Sequence, residues 1–83
     1  MLDGKSIYQE QDFGTIKLRL KEALKERNYS RSMLAKKTGI RYDIIKRYYE
    51  DDLERVDKTI LAKICYCLEC SLSDLLVYVS PKE

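Results

Sequence analysis

The chain has 83 residues and contains no histidine and no tryptophan, with only one proline and three glycines. Without histidine there is no imidazole to activate a nucleophile or to bind zinc. The scarcity of proline and glycine favours helices, since both residues interrupt them. No apolar run approaches the ~20 residues of a membrane-spanning helix, and no signal-peptide pattern opens the chain. We therefore expect a cytoplasmic protein without a membrane partner.

Cysteine is scarce too. The chain has three cysteines, and all of them lie within six positions, at Cys65, Cys67 and Cys70. An odd number so closely spaced is not the disulfide framework of a secreted protein. A zinc site needs about four ligands in pairs. On a helix, the side chains of Cys65 and Cys67 would point about 200° apart and could not converge on one ion. We expect structural thiols, with no metal and no cofactor.

An enzyme is not expected from this sequence. It has no glycine-rich phosphate loop and no pair of a nucleophile with a base. Its densest acids lie in one connector, where solvated carboxylates are the ordinary case. The length fits one small domain with a modest core, which often relies on well-packed helices or on a dimer. Nothing in the chain indicates a small-molecule effector.

Basic residues are concentrated in the first part of the chain. Residues 15–49 contain eleven basic and three acidic residues, a net charge of +8, whereas the remainder has a net charge of −6. A basic half of this kind is what a polyanionic partner requires. The same pattern also fits lysines that are merely solvated on amphipathic helices, and the charge alone does not decide between these interpretations.

The segment from Leu34 to Tyr49, which reads LAKKTGIRYDIIKRYY, has the spacing of a helix-turn-helix. Ala35 is small, Gly39 follows four positions later at a tight turn, and Ile45 lies six positions after the glycine. A small residue, a glycine and an aliphatic residue at this spacing let two helices cross closely. The second helix is then left exposed, where it can meet a DNA groove.

Periodicity and capping residues predict the other elements. The first helix should end near Asn28, a residue that tolerates a left-handed conformation. Ser30 and Asp57 are expected to cap helices, and Ser71-x-x-Asp74 is the signature of a capping box. A small sheet between Ile16–Leu18 and Val77–Val79 is compatible with the pattern. The expected helices are residues 18–27, 30–38 and 42–50, one after Asp57, and a short fifth one carrying Leu72, Leu75 and Leu76.

The predicted helix 42–50 has two distinct sides. At about 100° per residue, Ile44, Ile45 and Tyr48 fall on one side, which we expect in the core. Tyr48 and Tyr49 are interpreted as core aromatics rather than as stacking platforms. The opposite, polar side is the one that a major groove would meet, and it comprises Tyr42, Asp43, Lys46, Arg47 and Glu50.

Over about residues 16 to 79, the chain resembles the Cro/repressor-type helix-turn-helix domains of the XRE family. The resemblance rests on Ser30, Leu34, Ala35, Gly39, Ile40 and Ile45, and on the block RVDKTILAKICYCLECSLSDLL with its Ser71–Asp74 cap. It implies an all-α fold, a five-helix lambda-repressor-like domain at residues 15–80. An N-terminal arm (1–14) precedes this domain and a short tail (81–83) follows it. The small sheet between the two ends would be an addition to that fold.

The resemblance also implies a function, which is sequence-specific binding of an operator in double-stranded DNA by a small transcriptional regulator. A repressor is the expected type, although the sequence itself does not distinguish a repressor from an activator. Helix 42–50 would lie in the major groove, with Tyr42, Asp43, Lys46 and Arg47 as candidate base contacts. Lys46 or Arg47 could donate to guanine, and Asp43 could accept from cytosine. The protein would then be associated with the nucleoid. The candidate phosphate contacts are Ser30, Arg31 and Arg41, with Arg31 at a helix N-terminus, which attracts anions.

Two departures from the family pattern bear on this expectation. Leu24 and Tyr49 stand where many members pair an arginine with a glutamate, and an apolar contact can replace that pair at little cost. The connector Glu50–Glu54 carries four carboxylates where members often have glycine and basic residues. These carboxylates would repel phosphate unless the loop is turned away. The alternative is a protein-binding adaptor or antagonist of another regulator that does not bind DNA, which the acidic connector favours and the basic first half opposes.

The family usually binds as a dimer to palindromic sites whose halves lie ~34 Å apart. A homodimer is therefore expected for this chain as well. The apolar tail Leu76–Val79 is one candidate contact. The arm, with Ile7, Tyr8 and Phe13, could also exchange between subunits.

Overall fold

The computed structural model describes residues 12–81, which form four α-helices and one two-stranded antiparallel sheet. In chain order the elements are β1 (Thr15–Leu18), α1 (Leu20–Glu26), α2 (Arg31–Thr38), α3 (Tyr42–Glu50), α4 (Lys58–Leu68), a 3-10 turn (Leu72–Asp74) and β2 (Leu76–Val79). The predicted helical fold with a helix-turn-helix is confirmed, with a small sheet added. Most of the expected arm (residues 1–11, with Ile7 and Tyr8) and the end of the tail (82–83) lie outside the described residues.

The sheet joins the two ends of the domain. β1 and β2 pair antiparallel, and Leu18 lies opposite Leu76. The periodicity predicts a helix from about Leu18, but α1 begins only at Leu20. The reason is that the backbone up to Leu18 is paired with β2, and the next amide, that of Arg19, donates to the carbonyl of Leu75 at 2.7 Å. Pairing with a distant strand here prevails over the local helical pattern.

The fifth helix of the expected fold is reduced to a single 3-10 turn. The amide of Ser71 donates to the Asp74 carboxylate at 3.0 Å, so the predicted capping box is present. The amide of Leu75 then closes the turn on the Leu72 carbonyl at 2.9 Å. No second turn follows, because the chain enters β2 at Leu76.

The core lies where the four helices meet and extends to the 3-10 turn. α2 packs against α3 and α4, and α1 packs against α3. As expected from the helical projection, Ile45 and Tyr48 are buried and Ile44 is partly buried. Tyr49 is only half-buried and lies at the edge of the core. The buried residues are Leu20, Ala23, Leu24, Leu34, Ile40, Ile45, Tyr48, Leu61, Ile64, Leu68 and Leu75.

The helix ends follow the predicted capping residues. The Ser30 hydroxyl accepts from the Met33 amide at 3.0 Å, and the Asp57 carboxylate accepts from two amides at the start of α4, at 2.8 and 3.2 Å. Asn28 adopts a left-handed conformation with φ 56° after α1. Within residues 12–81, no helix is both long and apolar enough to cross a bilayer; the longest, α4, has 11 residues.

Gly39 ends α2 with φ 78° and donates its amide to the Ala35 carbonyl at 2.9 Å. Gly39→Ala should lower the free energy of unfolding by about 1–2 kcal/mol, because an L-residue is strained in the left-handed region. A Cβ added there would meet no other atom within 4 Å, so the loss would come from the backbone alone. Urea unfolding measures it. Gly39→Asn should lose less, since asparagine tolerates this conformation; equal stability of all three proteins would contradict the assignment.

The Asp74 carboxylate accepts hydrogen bonds from the backbone amide and from the hydroxyl of Ser71. Both bonds lower the pKa of Asp74, and the bond from the amide has the larger effect. A carboxyl whose pKa is depressed by folding stabilises the protein above its unfolded pKa and loses this contribution as the pH falls through its folded pKa. Asp74→Asn should therefore be less stable than the wild type at neutral pH, and the difference should shrink below about pH 4. Unfolding by urea at neutral and acidic pH measures this; a difference independent of pH would contradict it.

Candidate nucleic-acid interface

The crossing of α2 and α3 is fixed by apolar side chains on their facing sides. Leu34 of α2 and Ile45 of α3 are both 0% exposed and belong to the same core cluster. Ile40, in the turn between the two helices, is buried as well. Because the core holds α3 by this side, the opposite side of the helix remains in solvent.

The four candidate base contacts, Tyr42, Asp43, Lys46 and Arg47, are all exposed in the structure. At helical spacing, Asp43 and Lys46 lie on the side of α3 opposite the core, and Tyr42 and Arg47 lie at the two edges of that side. The structure therefore brings them together on one surface, and what they bind stays a prediction. In the following, this set of four side chains is called the α3 outer face.

The guanidinium of Arg47 is held by the connector that follows α3. Its Nε and Nη2 atoms both donate to the backbone carbonyl of Asp52, at 3.2 and 3.0 Å. The Asp52 amide donates back to the Arg47 carbonyl at 2.9 Å, across Asp51 in a left-handed conformation with φ 58°. Both bonds go to the single Asp52 carbonyl oxygen and use the edge of the guanidinium formed by Nε and Nη2. The terminal edge, formed by Nη1 and Nη2, therefore still has N–H groups to donate. With two N–H groups side by side, that edge can donate to guanine N7 and O6 together.

Two other candidate DNA contacts are paired with carboxylates. Arg41 Nη2 lies 2.9 Å from Asp43 Oδ2, and Lys46 Nζ lies 3.9 Å from Glu50 Oε2. The side chains in these pairs are 47–77% exposed. Exposed ion pairs contribute only ~0–1 kcal/mol, whereas one good base contact contributes ~1–3 kcal/mol of discrimination. These pairs can therefore be exchanged for contacts with DNA without a large loss.

Arg31, the first residue of α2, contacts tyrosine rings rather than carboxylates. Its guanidinium carbon lies 4.4 Å from the ring centroid of Tyr49 and 5.9 Å from that of Tyr42. The ammonium of Lys21 lies 5.6 Å from the Tyr49 centroid. All three distances are within cation–π range. The cluster made by Lys21, Arg31, Tyr42 and Tyr49 is called the aromatic–cation cluster below.

Sequence reasoning missed this cluster. The sequence pattern predicts a core position for Tyr49, which packs against the core but keeps part of its ring exposed. It indicates no role for Lys21 beyond the overall charge. One signal could have indicated part of it: Tyr42 and Tyr49 are seven positions apart, which is about two helical turns, so they share a side of α3. The partner on α1 has no such signal, because only the folded chain brings α1 beside α3.

A cleft of about 420 Å³ opens beside the N-terminus of α2. The Ser30 hydroxyl accepts from the Met33 amide there, and its own hydrogen is left to donate. Leu24 and Tyr49 both lie along the cleft, and within residues 12–81 no buried side-chain nitrogen or oxygen lacks a hydrogen-bond partner. The cleft combines three cations with the amide end of a helix. It is lined by Lys21, Leu24, Lys25, Tyr29, Ser30, Arg31 and Tyr49.

The three cysteines are free thiols at the end of α4 and just after it. Burial, followed by the neighbouring Cys65, raises the pKa of Cys70, so its thiol stays protonated at neutral pH. The Cys67 thiol donates to the Tyr29 hydroxyl at 3.9 Å. Among the residues that the structure describes, no group of three or more histidine, cysteine or acidic side chains could hold a metal ion. All three cysteines are partly buried and pack against the core.

Comparison with known proteins gives one family and two similar structures. The model of the Cro/C1-type HTH DNA-binding domain matches residues 19–81. A candidate DNA-binding protein from Bacteroides fragilis is similar with 21% identity and a TM-score of 0.68, over 76% of this chain and 100% of that one. The transcriptional regulator VanUg is similar with 19% identity and a TM-score of 0.67, over 89% of this chain and 97% of that one. At these identities the two structures show the fold alone. No curated protein matches the sequence.

Proposed function

The chain belongs to the Cro/C1-type helix-turn-helix DNA-binding domain family, and we propose that it binds a specific operator in double-stranded DNA and represses transcription by occupying it. α3 enters the major groove, and the protein acts without catalysis and without a cofactor. The observation that carries this proposal is the α3 outer face, which is exposed and presents an arginine whose terminal donor edge is available.

Base recognition is assigned first to Arg47 and Lys46. Arg47 donates to guanine N7 and O6 while its other edge remains on the Asp52 carbonyl, so the connector orients the reading side chain. Lys46 leaves its weak pair with Glu50 to reach a neighbouring base. Tyr42 and Asp43, in the first turn of α3, complete the contacts, and Asp43 accepts from cytosine N4.

Backbone phosphates are assigned to Ser30, Arg31 and Arg41. Ser30 and Arg31 lie at the N-terminus of α2, where free amides and the helix dipole favour an anion. Arg41 precedes α3 and exchanges its exposed partner Asp43 for phosphate. These contacts fix the position of the protein on the duplex but do not read its sequence. The net charge of +8 over residues 15–49 supplies the long-range attraction.

A protein-binding adaptor is the second candidate function. It is favoured by the exposed carboxylates of Glu50, Asp51 and Asp52, which lie beside the α3 outer face and would repel a duplex. Against it, the connector offers Arg47 a backbone carbonyl and not a carboxylate, so the guanidinium is oriented without being neutralised. The exposed ion pairs are also too weak to outweigh base contacts. DNA binding therefore remains the favoured function.

The test is selection of bound duplexes from a random pool, followed by titration at several salt concentrations. We expect a consensus with two half-sites ~34 Å apart, and an affinity that falls ~10³–10⁵-fold between about 50 and 200 mM salt if 6–10 phosphates are contacted. Arg47→Ala should relax the preference at one position, whereas Arg31→Ala should weaken all sequences alike. Lys63→Ala, a charge removed from the exposed side of α4, is the matched control. If no duplex is enriched and none of these changes alters duplex binding, the adaptor is the better account.

We further propose that the protein acts as a homodimer that is joined through its sheet. Ile16 and Tyr78 are exposed apolar side chains on one face of the sheet, and Phe13, just before β1, is exposed as well. Exposed apolar side chains that lie together favour an interaction surface. Ile16 and Tyr78 lie directly opposite each other across the strands. A second copy would cover them and present two α3 helices to one operator.

The dimer is tested by sedimentation at micromolar concentrations with Ile16→Lys as the disrupting variant. Wild type should sediment as a dimer, and the variant should shift towards monomer because the new charge would be buried in the interface. Tyr66→Lys adds a charge at the exposed tyrosine of α4 and should leave the dimer intact. A wild type that is monomeric at every concentration, with and without DNA, would refute this arrangement.

A further inference from the structure

The contacts of Arg31 differ from those of the other five arginines in residues 12–81. Within residues 12–81, the guanidinium of Arg31 makes no hydrogen bond and no ion pair, and it is held by the ring of Tyr49. Four other arginines already donate to an oxygen acceptor or pair with a carboxylate; they are Arg19, Arg27, Arg41 and Arg47. Among the described residues Arg55 makes no hydrogen bond and no ion pair either, but only Arg31 has a guanidinium in cation–π contact with a ring.

Contact with a ring has a different chemical consequence from contact with a carboxylate. A carboxylate takes the N–H donors of a guanidinium and neutralises its charge. A ring attracts the cation through its quadrupole and takes none of the donors that a phosphate needs. Holding Arg31 in one place before DNA arrives also reduces the ordering that binding requires. The contact thus restrains the side chain and keeps it competent for phosphate.

The same ring extends this arrangement to α1. Lys21 lies 5.6 Å from the Tyr49 centroid and lines the same cleft as Arg31 and Lys25. A carboxylate at the position of the Tyr49 ring would take N–H donors from these cations and reduce the positive charge. With a tyrosine, both positive charges at the cleft are preserved.

Building on the proposed DNA binding, we propose that Tyr49 is a positioning residue whose ring holds Arg31 and Lys21 over the cleft beside α2, so that both bind the phosphate backbone of the duplex. Lys21 thereby becomes an additional phosphate contact contributed by α1. Tyr49 itself touches neither phosphate nor base and acts only through the two cations.

The first readout is made on the free protein by NMR. The ring current of Tyr49 should shift the side-chain protons of Arg31 upfield from their ordinary positions, given the 4.4 Å distance. Tyr49→Leu should remove most of this shift, and Tyr49→Phe should keep it, because phenylalanine retains the ring. Unshifted Arg31 protons in the wild type would overturn the proposal without reference to DNA.

The second readout is affinity for the selected duplex. Tyr49→Leu should weaken binding about 2–5-fold, the fold-change of one exposed cation–π contact, whereas Tyr49→Phe should bind like the wild type. Lys21→Ala should lower the slope of log affinity against log salt by about 0.9, which corresponds to one phosphate. Tyr66→Leu makes the same change on the exposed side of α4 and should have no effect.

A double-mutant cycle distinguishes the positioning role of Tyr49 from a purely structural role. In a protein that carries Arg31→Ala and Lys21→Ala, the change Tyr49→Leu should have no further effect on affinity. An equal loss in that background, or an equal loss for Tyr49→Phe and Tyr49→Leu, would overturn the positioning role while leaving DNA binding intact. If the wild type binds no duplex at all, the proposed function fails, and the phosphate role of Tyr49 fails with it.

Discussion

The burial of Leu34 against the same core as Ile45 is the constraint on which the rest of the structure depends. These two side chains hold α2 and α3 in one crossing, and Gly39 supplies the left-handed turn that lets the chain pass from one helix to the other. Because the apolar side of α3 is packed against the core, its polar side faces solvent. The exposure of the α3 outer face is thus a consequence of packing rather than a separate feature of the surface.

Around that surface, the chain restrains its cations with weak contacts of three kinds. Arg47 is held by a backbone carbonyl, Arg31 by aromatic rings, and Arg41 and Lys46 by exposed carboxylates. None of these contacts is strong enough to compete with a well-placed base or phosphate. Together they narrow the positions of the side chains before a partner arrives. The acidic connector has a part in this, since its main chain orients Arg47 whatever the charge on its side chains.

Local signals predicted most of the fold, and non-local contacts account for what they missed. The residue types of Ser30, Gly39 and Asp57 are typical of helix caps. Both ends of α2 and the start of α4 could therefore be predicted from the sequence. The fifth helix did not form, because residues with a helical pattern could instead pair with a strand at the far end of the chain. The surroundings of Arg31 and Arg47 were also hidden. Arg47 is bound by the backbone carbonyl of Asp52, and since every residue has a backbone carbonyl, no residue type indicates this contact. The ring beside Arg31 belongs to Tyr49 on α3, so its position depends on how α2 and α3 pack.

The sheet ties the first described element to the last, and this has a consequence for biosynthesis. β1 is synthesised before all four helices, but the strand that pairs with it, β2, follows them in the chain. The helices can pack on one another through contacts that are closer in sequence, whereas β1 cannot pair until β2 has been synthesised. A chain that lacks β2 would therefore expose the unpaired edge and the apolar side chains of β1.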